Sequence, residues 1–144
     1  MSERSSDFAK EPSPVLGTYG LLQDVLDYEL VCAERYRRFV SLVMVRGASL
    51  SAQPVRKVLS DRIRSSDLLA EKNSHLVILM SETSPDGAQI AIDRYRSYCE
   101  EQPLWFSLVT FPQDSGSAEE FMSAGERRLQ VAAQEQAGAV VSTG

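Results

Sequence analysis

Histidine occurs once in the 144 residues and cysteine twice. A histidine metal cluster, or a catalytic triad that needs a second imidazole, is therefore not available. Cys32 and Cys99 lie far apart with no CxxC or Cys/His spacing. They read as reduced, small apolar residues rather than as a disulfide or metal pair. Long hydrophobic runs are also missing. The longest largely apolar stretches, 40–45 and 76–80, are far too short to span a bilayer. The first residues carry acids and no apolar centre, so they resemble neither a secretory signal nor a transit peptide. These absences predict a cytoplasmic chain that does not insert into membranes. A net charge of −5 leaves too little cationic surface for general DNA or RNA binding.

With 43% hydrophobic and 24% charged residues, the chain can still build a core, and its length suits one domain. Residues 1–13 are Ser/Glu/Pro-rich and unpatterned, which predicts a flexible tail ahead of a single domain over 14–144. Charge is unevenly spread. Between Arg35 and Arg64 stand eight Arg/Lys against the single acid Asp61, whereas from Ser97 onward seven acids face two arginines. Two solvated faces explain this without a ligand. A local anion site on an acidic molecule is the sharper reading.

Periodicity gives the elements. Leu22, Leu26, Leu30 and Ala33 recur at helical spacing and predict a helix ending near Arg38. Residues 39–45 read as a strand buried on both faces, followed by a loop over 46–51. A helix from Ala52 carries Val55, Val58, Leu59 and Ile63 on one stripe, with Pro54 in its first turn. Strands at 68–72 and 76–80 flank Asn73-Ser74-His75, which reads as a hairpin turn with a solvated His75 at its tip. A helix follows from Ser84 to about Glu101, then a strand at 104–111 on which Trp105 and Phe106 face opposite ways. Ser117 and Glu120 form a capping box for a last helix that fades near Gly138, and 139–141 can add an edge strand. The predicted class is α/β (α+β), a central mixed sheet of about five strands flanked by helices.

Several segments, in order, resemble the GGDEF (diguanylate cyclase) domain, whose palm-like sheet is related to that of nucleotide cyclases. Residues 14–19 (PVLGTY) look like the family's opening turn, and 35–45 resemble the helix end and first strand. Arg64-Ser65-Ser66-Asp67 is similar to the RxxD motif before the signature hairpin. Phe111-Pro112-Gln113-Asp114, with the capping box after it, is similar to the FPxD turn and helix start.

The departures from that pattern carry the functional expectation. Arg46 stands where the family places a metal-binding Asp, and a guanidinium repels the Mg²⁺ that a carboxylate would hold. Asn73-Ser74-His75 replaces the signature turn and leaves no carboxylate there. The segment from Arg46 to Arg64 is shorter than in cyclases, and Ala132-Ala133 occupies the place of a phosphate-binding Lys. Phosphoryl transfer is mostly positioning and charge neutralisation, so the resemblance implies a domain without catalysis and without bound metal. It also implies a retained product site, with Arg64 and Asp67 as ligand contacts and Arg94 as the supporting cation. The implied ligand is cyclic di-GMP, and the implied role is that of a receptor or adaptor in bacterial signalling. Such a receptor would have a protein partner and could dimerise around its ligand. A scaffold that binds no nucleotide is the alternative, and an active cyclase is third. Set against this, an isolated Arg-x-x-Asp is usually an i,i+3 ion pair on a solvated surface. Arg46 could pair with an acid or grip an anion, the pair being favoured. Arg35, Arg37 and Arg38 suit a helix C-terminus in any fold.

Overall fold

In the computed structural model, the described residues are 16–17, 19–48, 53–72, 75–98, 102–114 and 116–144. The expected tail at 1–13, Asn73, Ser74 and Cys99 lie outside them. The elements in chain order are β1 (Leu16–Gly17), α1 (Tyr19–Tyr36), β2 (Val40–Gly47), α2 (Gln53–Leu59), β3 (Leu68–Lys72), β4 (His75–Ser81), α3 (Pro85–Tyr98), β5 (Leu104–Phe111), α4 (Ala118–Ala132) and β6 (Val140–Val141).

The strands form one six-stranded mixed sheet in the order β1-β3-β4-β2-β5-β6. Its centre is antiparallel, with β2 between β4 and β5, while β1 and β6 join the edges in parallel. The β2–α2–β3 and β4–α3–β5 units each skip one strand, giving an interlocked βαββαβ core. The sixth strand beyond the expected five is β1, a two-residue piece too short for any periodicity to announce.

Side-chain alternation divides the interior in two. Val43, Val45, Leu69, Ile78 and Phe106 point to the face covered by α2 and α3, where Val55, Leu59, Ile92 and Tyr95 meet them. Leu42, Met44, Val77, Leu79 and Val109 point to the other face and pack on Leu22, Leu26, Phe121 and Leu129 of α1 and α4. Central strands covered on both sides must be apolar at every position, as residues 40–45 are apart from Ser41. Ser41 is satisfied by donating to the Thr83 carbonyl (2.7 Å) and by its contact with the Thr110 hydroxyl (3.0 Å). The packing is closest where α4 crosses β2: a Cβ on Gly125 would sit 2.8 Å from Met44 Cε.

Several boundaries differ from expectation, each for a local reason. β2 runs on through Arg46 and Gly47, residues expected in a loop, because β4 and β5 both pair with Arg46 and β5 goes on to pair with Gly47. α2 stops at Leu59, and the Arg62 and Ile63 amides bond back to the Leu59 carbonyl, so Ile63 is buried from a turn rather than from the helix. α1 ends at Tyr36, where Arg37 adopts a left-handed conformation (φ 56°) and the Arg38 amide reaches the Ala33 carbonyl. α4 ends at Ala132 in successive turns, short of Gly138, and its Ser117–Glu120 capping box is formed. Phe106 is buried on the α2/α3 face, and half-buried Trp105 packs on the other. Among the described residues no helix is long and apolar enough to cross a membrane.

Candidate functional site

The Arg-x-x-Asp spacing does its work through a β-turn. The Asp67 amide donates to the Arg64 carbonyl (2.9 Å), which brings the two side chains onto the same side of the turn. Asp67 Oδ1 then accepts from Arg64 Nε (3.3 Å) and Nη2 (2.9 Å), while Oδ2 accepts from the Arg64 backbone N–H (3.2 Å). Arg64 Nη2 also donates to Thr83 Oγ1 (2.6 Å), whose hydroxyl in turn donates to the Ser81 carbonyl (2.9 Å). The Asp67 side chain is 2% exposed and that of Arg64 is 55% exposed. The carboxylate is thus a buried buttress, and the guanidinium is the group presented to solvent.

That guanidinium faces a cleft of about 280 Å³. One wall is the face of α3 that carries Gly87, Ala91, Arg94 and Tyr98 at helical spacing; the other holds Arg62, Arg64 and Asp67, with Glu82, Thr83 and Ser84 between the walls. The sequence-predicted residues Arg64, Asp67 and Arg94 therefore line one cavity. Arg94 is exposed, and no hydrogen bond or ion pair engages it among the described residues. Ser84 caps α3 by accepting from the Gly87 amide (3.1 Å), so the positive end of that helix opens at the cleft. Burial pushes the Tyr95 phenol well above its usual range, with Asp67 adding to the effect, so it stays neutral.

Sequence reasoning missed Arg62 and Tyr98. The Arg62 guanidinium stacks 4.6 Å from the centroid of the Tyr98 ring, within cation–π range, at the same cleft. The partners sit on different elements, and no local pattern could announce the pair.

The other end of the sheet has a different character. Register places Lys72, His75, Arg46 and Trp105 side by side across β3, β4, β2 and β5, so their side chains share the α1/α4 face. From the Arg64 end of β2 to this row is six residues, roughly 20 Å at the usual strand rise. Lys72 donates to Glu126 Oε2 (2.6 Å) and lies 4.3 Å from the Tyr19 ring centroid. The expected ion pair of Arg46 does not form among the described residues, and the Glu126 carboxylate, which also influences the neighbouring His75, is paired with Lys72.

His75 is not the solvated tip that its place in the sequence suggested. It is the first residue of β4, half-buried, and its Nε2 has no hydrogen-bond partner among the described residues. Its pKa is lowered, chiefly by desolvation; Glu126 opposes this, and Lys72 and Arg46 add to it. A folded-state value below the usual 6.5 means the unfolded chain takes up the proton first. Stability is therefore fully present above about pH 6.5 and lost as pH falls through that value toward the folded pKa. Because this is the only histidine, thermal melts between about pH 7 and 5 should show a decline that His75→Gln flattens.

No protein-family profile matches the sequence, and no curated protein is similar to it. Solved structures are. The GGDEF domain of TpbB (also YfiN) from Pseudomonas aeruginosa superimposes with a TM-score of 0.76, covering 90% of this chain and 91% of that one at 12% identity. The active GGEEF domain of a diguanylate cyclase from Vibrio cholerae gives 0.75, with coverage of 89% and 97% at 10% identity. The GGDEF domain of DgcB from Caulobacter crescentus, solved in complex with cyclic di-GMP, gives 0.75, with coverage of 90% and 89% at 9% identity. This chain has the fold of a GGDEF domain.

Proposed function

We propose that the chain is a catalytically inactive GGDEF-fold receptor or adaptor for cyclic di-GMP, with the ligand seated in the Arg64 cleft. The observation that carries this reading is the convergence of Arg64, Asp67 and Arg94 on one cavity, with the Arg62–Tyr98 stack beside them. The chemistry matches a cyclic dinucleotide. An arginine fork pairs in plane with guanine O6 and N7 or with a phosphate. Arg94 and the N-terminus of α3 offset the ligand's two negative charges. The exposed faces of Tyr98 and Arg62 offer a platform for a base. Asp67 contributes mainly by holding the Arg64 fork in position, since both of its oxygens already accept from Arg64.

The absence of catalysis is part of the same proposal. The fold family implies magnesium, and the residues at the corresponding end of the sheet do not fit it. Lys72, His75 and Arg46 stand in a row, and the nearby carboxylate of Glu126 is held by Lys72. Hard divalent cations need several oxygen ligands, which this row does not provide. Among the described residues no three His, Cys, Asp or Glu side chains are grouped to hold a metal.

Titration calorimetry with cyclic di-GMP tests the reading on the full chain. Micromolar binding is expected. Arg94→Ala should weaken it by roughly 10- to 100-fold without moving the melting temperature, because the side chain is exposed and has no partner among the described residues. No heat at high ligand concentration overturns the receptor, and cyclic di-GMP formed from GTP and Mg²⁺ overturns its inactivity.

A further inference from the structure

The outward face of α1 is unusual for a solvated helix. Opposite the buried line of Leu22, Leu26, Leu30 and Ala33 one expects charge. Tyr28 and Val31 stand there instead, 66% and 64% exposed. At 100° per residue, Asp24 and Arg35 fall on the same line, one before and one after this apolar pair. Both are exposed, and neither has an ion-pair partner among the described residues.

The spacing is self-complementary. Asp24 and Arg35 are equidistant from the midpoint between Tyr28 and Val31, about 8 Å to either side at the helical rise. A two-fold axis through that midpoint lays a second α1 antiparallel on the first. Tyr28 of each copy then meets Val31 of the other, and Asp24 of each meets Arg35 of the other. An isologous interface requires this reciprocity, and a stripe with both charges at one end could not supply it. Nothing pairs these two charges within the described chain, so both are available to a second copy.

We propose that this face of α1 is a docking surface for a second copy of the chain, forming an antiparallel helix pair independent of nucleotide. One helix face buries less than a standard interface, so the association is weak and reversible. It also leaves the Arg64 cleft free, since Asp24, Tyr28, Val31 and Arg35 do not line it.

Sedimentation velocity on the ligand-free full chain over a wide concentration range provides the test. A monomer–dimer equilibrium is expected, weakened by salt. Asp24→Arg and Arg35→Asp should each loosen the dimer by at least about tenfold, since each places like charges together twice. The double variant Asp24→Arg/Arg35→Asp swaps the charges and should restore dimerisation, a rescue that misfolding or another interface would not give. A chain that stays monomeric at every concentration overturns the proposal, as when residues 1–15 cover this face instead. So does a dimer indifferent to the single reversals or not recovered by the swap.

Discussion

Arg64→Ala is expected to remove measurable cyclic di-GMP binding, a loss of about 2–5 kcal/mol, or from roughly thirtyfold to several thousandfold in affinity. The size follows from what the side chain does in the free protein. Its guanidinium is held before any ligand arrives by Asp67 Oδ1 and Thr83 Oγ1, so little is lost in ordering it. Truncation also strands a carboxylate that is almost wholly buried. The Arg64 end of the pair is half-exposed and water can reach it, so the stability cost should be about 1–3 kcal/mol rather than that of a fully buried pair. Arg64→Lys separates the two effects. The charge near Asp67 remains while the planar fork is gone, so the melting temperature should fall less than in Arg64→Ala although binding is still lost. Undiminished binding in either variant, read by calorimetry, would remove Arg64 from the site.

The largest stability effect should come from a different arginine. Arg128 Nη1 donates to the Leu108 carbonyl (2.8 Å), and Nη2 donates to Asp114 Oδ1 (2.8 Å), from a side chain only 7% exposed. Asp114 Oδ2 accepts the Thr110 amide (2.9 Å), so one largely buried pair ties the end of β5 and the turn after it to α4. Arg128→Ala takes from a partly buried carboxylate and a strand carbonyl the charged donors that Arg128 supplied, which costs about 3–5 kcal/mol. That is a large share of the 5–15 kcal/mol typical of a domain and lowers the melting temperature by roughly 10 °C or more. Burial alone would raise the Asp114 pKa, but the hydrogen bonds from Arg128 and the Thr110 amide outweigh it and hold the group below the usual carboxylate range. The pair therefore contributes its full stability above about pH 4 and loses it as pH falls through the folded value. In urea titrations Asp114→Asn, which keeps an acceptor for the Thr110 amide, should flatten the acid limb. Combined with Arg128→Met it should cost less than the sum of the two single changes.

Arg128 also shows what could be read from the chain in advance. It stands seven residues after buried Phe121 and one before buried Leu129, so helical phase already placed it on the core face of α4. The signal was present, and a cation at a core position means a buried partner. Helices with one apolar stripe and strands covered on both faces were legible because burial imposes a period on them. So was the i,i+3 pairing of Arg64 with Asp67, whose spacing is local, although the turn that makes it and the burial of the carboxylate were not. The continuation of β2 through Arg46 was not legible, since a charge after an apolar run looks like a loop until the neighbouring strands are known. Nor was the burial of His75, which lies beside Arg46 of β2 and near Glu126 of α4, residues distant in the chain. The stack of Arg62 on Tyr98 is non-local in the same way, since its partners sit on different elements.

The sheet has an interior on each side, and hardly any side chain belongs to both. Substitutions on the α1/α4 side alter neighbours that the α2/α3 side never touches, so their effects are insulated by a layer of backbone. A protein built this way can surrender the chemistry of one surface without retuning the other. Loss and retention of function become separate events, each answerable to its own half of the molecule.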